Sequence, residues 1–356
     1  MSQAALPRAL AIVGPTASGK SRLAVWLAER LGLPVLCCDS VQVYRGLDIG
    51  SAKPGPELQA RAPHRLIDLV APDADFSAGD YATAAHAELA RGPGLFAGGT
   101  GFYLRAVAWT HSGGDVADER GAADGAGLGG ATGAAEEALA EQEAGARRDA
   151  FTARWEALER ESPGSVHAAL MRVDPETARA IHPRNVVRGL RALWMCEAHG
   201  QPVSRVRAAD PPRPRARLGL IVLEPEALAL SRAIDARCDA MLRAGLVGEV
   251  EMLRRGGYDA RHKSMRSLGY RQLLEHLEGH LSLADAVAAI KLATRNYARR
   301  QRTYFRHQLA VDGAGDGAIA LRIAVQAPLL EPAVDLSRAT AAWLPRVEQF
   351  ISGASS

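Results

Sequence analysis

No stretch of this chain approaches the roughly 18 uninterrupted apolar residues of a membrane-spanning helix. Its first residues carry no basic region followed by an apolar run and a small-residue cleavage site, so the sequence reads as that of a cytoplasmic protein with no membrane partner. Cysteine is scarce. Cys37, Cys38, Cys196 and Cys238 fall at no metal-ligand spacing, and adjacent cysteines in an apolar run are small core residues rather than a disulfide pair. Lysine is rarer still for a basic residue, supplying only four of the 43 basic side chains. The basic character is therefore that of arginine, whose planar fork suits bidentate phosphate contact and base stacking. A formal net charge of +3 is too small to announce a nucleic-acid partner by itself, and no internal repeat points to a solenoid.

What is present begins at residue 9. The apolar run Ala9-Leu10-Ala11-Ile12-Val13 empties into Gly14-Pro15-Thr16-Ala17-Ser18-Gly19-Lys20-Ser21, the full phosphate-loop pattern G-x-x-x-x-G-K-[ST], and Leu23, Leu27 and Leu31 follow at helical spacing. Gly14 and Gly19 let such a loop curl until its N–H groups point inward. Gly14, Thr16, Ala17, Ser18, Gly19, Lys20 and Ser21 are thus the candidates to hold a diphosphate, with Lys20 on its terminal oxygens and Ser21 as the ligand of a Mg²⁺ ion. Further short apolar runs at 35–38, 66–69, 95–97 and 218–223 alternate with helical patterns at 81–90, 185–197 and 228–254. With 356 residues and 47% hydrophobic content, the chain is predicted to be α/β, a P-loop NTPase-like doubly wound parallel sheet with a small helical insertion domain. Residues 147–183, with Trp155, Leu158, Val166, Leu170 and Val173 at helical spacing, supply the insertion.

The second apolar run ends in Asp39. In an open parallel sheet, residues just past the carboxyl ends of neighbouring strands share one crevice, so Asp39 is expected to face the phosphate loop. An acid at a strand end can equally cap the following turn. Gly98-Gly99-Thr100-Gly101 after the 95–97 run has two readings too: a structural turn, or a close backbone approach with Thr100 hydrogen-bonding a diphosphate oxygen.

These words together resemble one family. The phosphate loop as Gly-Pro-Thr-Ala-Ser-Gly-Lys-Ser, Asp39-Ser40 through Ser51-Ala52-Lys53-Pro54, Pro63-His64-Arg65-Leu66-Ile67-Asp68, and Gly98 to Leu104 closely resemble the tRNA dimethylallyltransferases. Those enzymes move a five-carbon prenyl group from its diphosphate to N6 of the adenosine immediately 3′ of the anticodon. Val173-Asp174-Pro175, Ile181-His182-Pro183, and Asn185 with Arg188 and Arg191 look like the family's return from its insertion to its core. Arg237 matches the arginine on the diphosphate, and the segments Arg266 to Arg271 and Arg299 to Arg306 match tRNA contacts. The resemblance covers most of residues 8–111 and 151–310.

It implies a monomeric tRNA dimethylallyltransferase using Mg²⁺, with dimethylallyl diphosphate and a tRNA anticodon stem-loop as substrates, in tRNAs reading codons that begin with U. Asp39, Thr100 and Arg237 become the catalytic candidates. Candidates for tRNA are Asp39, Ser40, Val41, Gln42, Thr100, Arg188, Arg191, Arg266, Ser267, Gly269, Tyr270, Arg271, Arg295, Arg299, Arg300, Gln301, Arg302 and Arg306. The implied core is 1–111 with 184–312, the insertion 112–183 and a C-terminal extension 313–356. A P-loop kinase using ATP, an isopentenyltransferase acting on free adenine nucleotides and a non-catalytic RNA-binding protein are the alternatives. The words after Asp39 match no kinase signature, and a free-nucleotide enzyme has little use for a helical insertion or an arginine stripe.

Two features depart from the family or go beyond it. Arg184-Asn185 stands where the family usually has an Asn-Asp or Asn-Asn pair. Residues 113–146 hold 20 Gly or Ala among 34, no aromatic, and eight acids against one arginine, which reads as a flexible acidic loop rather than a helix at 134–144. In the helical pattern at 284–310, Lys291, Arg295, Arg299, Arg302 and Arg306 recur at spacings of 4, 4, 3 and 4, one narrow stripe opposite Leu283, Val287, Ile290, Tyr297, Tyr304 and Phe305. A solvated helix face is the plain alternative. The single interrupting acid, Asp285, favours an RNA backbone as its partner.

Overall fold

The computed structural model describes residues 5–110, 131–309, 317–326 and 334–353, and only the backbone of 131–144. It has two compact units, Met1–Trp109 with Pro214–Ser356, and Thr110–Arg213.

In the larger unit β1 (Arg8–Val13), β2 (Val35–Cys38), β3 (His64–Arg65), β4 (Gly94–Gly98), β5 (Arg217–Leu223) and β6 (Ile319–Val325) form one sheet in the order β3-β2-β4-β1-β5-β6. Every pairing is parallel. A parallel sheet covered on both faces needs strands that are apolar throughout. Leu10, Ile12 and Leu95 accordingly pack with Leu23 and Leu27 of the Lys20–Leu31 helix, while Ala11, Val13 and Phe96 pack in a second core with Tyr103 and Leu104 of the Gly101–Ala108 helix. All four cysteines are free and buried.

Two strands differ from expectation. Pairing on β3 ends at Arg65, before the run expected at 66–69, because Leu66 and Asp68 take left-handed φ values of 62° and 54°. Lys53 draws the chain there: its Nζ donates to Asp48 and Asp68, both at 2.6 Å, and to the Tyr44 carbonyl at 3.0 Å. A sixth strand, β6, comes from the part read only as an extension. Beyond it, Trp343, Leu344 and Val347 join the core around Leu10 and Ile12, so the described part of 313–356 completes the sheet unit.

The described part of the second unit is helical: Ala131–Glu161, Ser165–Val173, Pro175–Ala180, Val186–His199 and Val203–Ala209. Its core joins Phe151, Val166 and Leu170 to Leu193, Met195 and Cys196, with the Phe151 and Trp194 rings 5.4 Å apart. This packing keeps the unit together to Arg213, past the return to the core expected at 184. The acidic-loop expectation is also corrected: residues 131–146 belong to the Ala131–Glu161 helix, and 113–130 lie outside the described residues. Alanine and glutamate cannot build a core, but they are among the strongest intrinsic helix formers. Asp174 caps two helices, accepting from Thr177 N–H (3.1 Å), Thr177 Oγ1 (2.7 Å) and Ser204 N–H (2.8 Å). Burial pushes its carboxyl up, but these donors outweigh it and hold the group below the usual carboxylate range.

Candidate active site

β4 lies between β1 and β2, so the chain reverses direction across the sheet where β1 meets β4. Crevices beyond the carboxyl ends of strands form at such points. A cavity of about 500 Å³ opens there, lined by the phosphate loop from Thr16 to Ser21, by Asp39 to Gln42 after β2, and by Gly98 and Gly99 at the end of β4. Glycine is required at the β4 end. A Cβ on Gly98 would stand 1.9 Å from the Cys38 carbonyl oxygen and one on Gly99 2.1 Å from Gln301 Nε2. Much of the remaining wall is apolar, with Ile234, Met241, Leu246, Leu268 and Ile290.

Within the loop, Gly14, Ala17 and Gly19 have φ values of 151°, 61° and 86°, the curled backbone that turns N–H groups inward. Ser18 Oγ is buried with no hydrogen-bond partner among the described residues, a donor that suits a phosphate oxygen. Lys20 Nζ bends back to the Gly14 and Pro15 carbonyls at 3.0 and 2.7 Å. Thr16 N–H is already taken, donating to Gln301 Oε1 at 2.8 Å.

Lys20, Arg237 and Asp39 share the cavity. Burial first, and the Arg237 guanidinium second, lower the Lys20 ammonium from 10.5 to about 7 against the opposing pull of Asp39. Burial likewise lowers Arg237, with Asp39 again opposing. Two desolvated cations against one carboxylate leave a positive excess that an anion relieves. The sign of the resulting pH dependence follows. Between about pH 7 and 10.5 the unfolded chain holds a Lys20 proton that the ligand-free fold lacks, so this group makes the free protein more stable as pH rises through that window. A diphosphate bound beside Lys20 would restore the proton. Affinity for inorganic diphosphate is therefore expected to fall by up to about tenfold per pH unit above pH 7, measured by calorimetry in buffers of different ionisation enthalpy. A pH-independent affinity with no proton uptake would refute the coupling.

Asp39 serves both of its expected readings. Its Oδ1 caps the turn, accepting from Val41 N–H at 2.9 Å and Gln42 N–H at 3.4 Å, while Oδ2 accepts no hydrogen bond among the described residues. Thr100 stands one residue past the cavity-lining Gly99, and its hydroxyl accepts from Ser40 N–H at 3.0 Å. Ser40, Val41, Gln42, Ser267, Gly269 and Arg300 all line the cavity. Arg266 and Arg271 are exposed, whereas Tyr270 is fully buried and Gln301 is 5% exposed. Gln301 also lines the cavity, with its amide already engaged: it ties the Thr16 N–H to the Gly99 carbonyl, to which its Nε2 donates at 2.9 Å.

The basic stripe on the Leu283–His307 helix divides. Lys291 pairs with Asp239 at 2.6 Å and Arg295 with Asp235, both acids on the Ala227–Arg243 helix that carries Arg237. Arg299, Arg302 and Arg306 form no ion pair among the described residues. Arg188 and Arg191 belong to the helical unit, where Asn185 Oδ1 accepts from Arg188 N–H at 3.3 Å and so caps the Val186–His199 helix.

Sequence reading missed Tyr297, placed among the core positions. It lines the cavity, and burial and the Asp39 charge push its hydroxyl above the usual tyrosine range. A signal existed: Thr294, Tyr297, Gln301 and Tyr304, spaced 3, 4 and 3, put four hydrogen-bonding side chains on one helix face.

The profile of the IPP transferase family matches residues 42–308, well over half of the chain. The chain belongs to that family. An isopentenyl transferase profile also matches residues 7–68, the segment from β1 to β3. The chain is 39% identical over 310 residues to tRNA dimethylallyltransferase 2 of Geotalea uraniireducens (strain Rf4), covering 85% of this chain and 90% of that one. It is 40% identical over 314 residues to tRNA dimethylallyltransferase 1 of Trichlorobacter lovleyi, covering 86% and 92%. The crystal structure of a full-length tRNA isopentenylpyrophosphate transferase from Bacillus halodurans is 28% identical, superposes with a TM-score of 0.59, and is covered over 98% of this chain and 96% of its own. No helix among the described residues is long and apolar enough to cross a membrane, and no cluster of three His, Cys, Asp or Glu there suits a metal.

Proposed function

We propose that this IPP transferase family member transfers a dimethylallyl group from dimethylallyl diphosphate to N6 of the adenosine immediately 3′ of the anticodon, in tRNAs that read codons beginning with U, and that it works as a cytoplasmic monomer. The observation that carries the reading is one cavity holding three things: an anion cradle with two cations, an apolar wall, and the Asp39 carboxylate. Allylic diphosphates ionise readily because the carbocation is resonance-stabilised. The protein's tasks are to absorb leaving-group charge and to exclude water.

In this reading the C–O bond breaks with its electron pair on the diphosphate, held by the loop amides, Lys20, Ser18 and Arg237. The N6–C bond forms, and Asp39 Oδ2 takes the N6 proton; without a base the exocyclic amine is a poor nucleophile, its lone pair delocalised into the ring. Thr100 fixes Ser40 beside Asp39. Ser21, exposed at the head of the Lys20–Leu31 helix, would hold Mg²⁺ together with diphosphate oxygens, a donor set that suits a hard cation bound mainly through its substrate. When bound, that ion neutralises charge on the leaving group. The deciding experiment offers labelled dimethylallyl diphosphate with total tRNA and with AMP in separate tubes. Label in tRNA alone is expected; label in AMP alone would sink the reading.

The tRNA path has its own test. Replacing Arg299 and Arg302 with Gln removes two phosphate contacts, raising the KM for tRNA and flattening the log–log salt dependence by up to about two units. Arg295→Gln leaves that slope unchanged, because its guanidinium is already paired with Asp235. An unchanged slope in the double variant would mean that the stripe is a solvated face.

A further inference from the structure

Glu249, on the Leu246–Arg255 helix, is a buried carboxylate, 6% exposed, that forms no ion pair among the described residues. Four donors hold it. Oε2 accepts from Asp48 N–H at 3.1 Å and Ile49 N–H at 2.7 Å, and Oε1 accepts from Gly50 N–H at 3.1 Å and the Tyr270 hydroxyl at 2.7 Å. Burial, with the Glu249 charge second, pushes the Tyr270 hydroxyl well above the usual tyrosine range, so it remains a donor. A desolvated carboxylate with no cation is costly unless such donors are firmly placed. What it gains is a fixed loop.

That loop leads to the cavity. Gly50, Ser51 and Ala52 line its wall, and Gly50 is packed so tightly that a Cβ would stand 2.6 Å from the Tyr270 ring. The Ser51 and Ala52 carbonyls both accept from Gln42 Nε2, at 3.1 and 3.2 Å. Gln42 lines the same cavity three residues beyond Asp39. A free glutamine amide can present either its oxygen or its NH₂. Here the two carbonyls engage the NH₂, and Oε1 has no hydrogen-bond partner among the described residues, an acceptor suited to an exocyclic amine and repelled by a carbonyl oxygen.

We propose that Glu249 is a positioning residue for the acceptor base: by fixing residues 48–52 it locks the Gln42 amide with Oε1 toward the incoming amine. The proposal rests on the tRNA-prenylation reading above.

The test is a double-mutant cycle of Glu249→Gln and Gln42→Ala, scored as kcat/KM for tRNA with saturating dimethylallyl diphosphate. Thermal protection by that diphosphate with Mg²⁺ is followed in parallel. Each single variant is expected to lose roughly tenfold in kcat/KM for tRNA, and the double variant no more than about twofold beyond the worse single, because both act through one amide. Donor protection should match the parent. Multiplying losses, an unchanged kcat/KM, or an equal loss of donor protection would overturn the proposal, the last by showing a general structural role. Should Glu249→Gln not fold, Tyr270→Phe takes its place; it frees Oε1 of one donor, and about threefold loss is expected, again non-additive with Gln42→Ala. An unchanged Tyr270→Phe enzyme would equally overturn it. If the parent itself labels no tRNA, the underlying reading fails, an outcome distinct from a working parent with additive losses.

Discussion

Asp39→Asn lowers the rate of prenyl transfer at saturating substrates by roughly two orders of magnitude or more, within the range general-base catalysis supplies. The amide keeps an oxygen for the Val41 and Gln42 N–H groups, so the turn that Asp39 caps survives and only the basic oxygen is lost. Binding of dimethylallyl diphosphate is retained, since the loop amides, Lys20 and Arg237 remain. Asp39→Ala loses the cap as well and falls at least as far. Single-turnover kinetics with preloaded donor separates the chemical step from binding. A rate for the Asn variant within a few fold of the parent would remove Asp39 from the mechanism and leave it a turn cap.

The second large effect is on stability. Gly98→Ala places a Cβ 1.9 Å from the Cys38 carbonyl oxygen and 2.4 Å from its carbon. Both atoms are backbone of β2, paired in register with Gly98. No rotamer relieves such a clash, so the ends of β2 and β4 must separate, breaking the Thr100 N–H to Cys38 carbonyl bond of 3.2 Å and displacing the adjacent Asp39. A loss of about 4 kcal/mol or more is expected, at the upper end for a single substitution. Gly248→Ala is the control. It lies inside the Leu246–Arg255 helix with nothing within 4 Å of the added methyl, and should gain up to about 1 kcal/mol from helix propensity. Urea midpoints with a common slope measure both. A Gly98→Ala protein as stable as the parent would mean that β2 and β4 part without cost.

Where function rests on local backbone, the sequence was legible. The phosphate loop is written in consecutive residues whose spacing dictates their conformation, so the curl of residues 14–19 and the helix that starts at Lys20 could be read from the motif alone. The apolar runs of β1, β2, β4 and β5 were equally plain, because a strand buried on both faces has no polar positions to obscure it. β3 and β6 were not, since one is cut short by the Lys53 ion pairs and the other lies on the sheet edge with exposed Ala320 and Ala324 between buried positions.

Side-chain partnership is what the tertiary structure decided. From sequence, Lys291, Arg295, Arg299, Arg302 and Arg306 were one stripe; Asp235 and Asp239, more than fifty residues away in the chain, neutralise the first two. Tyr270 and Gln301 sit in segments that suggest RNA contact, yet Tyr270 is buried against Glu249, and Gln301, at the cavity wall, is already bonded to the phosphate loop. Helical spacing says which residues share a face, but not what that face meets. The sequence by itself therefore determined the phosphate-loop backbone and the sheet that carries it. Which charges stay free for a substrate was settled only when helices distant in sequence packed together, because a charge is available only if nothing of opposite sign or complementary hydrogen bonding has been brought within reach of it.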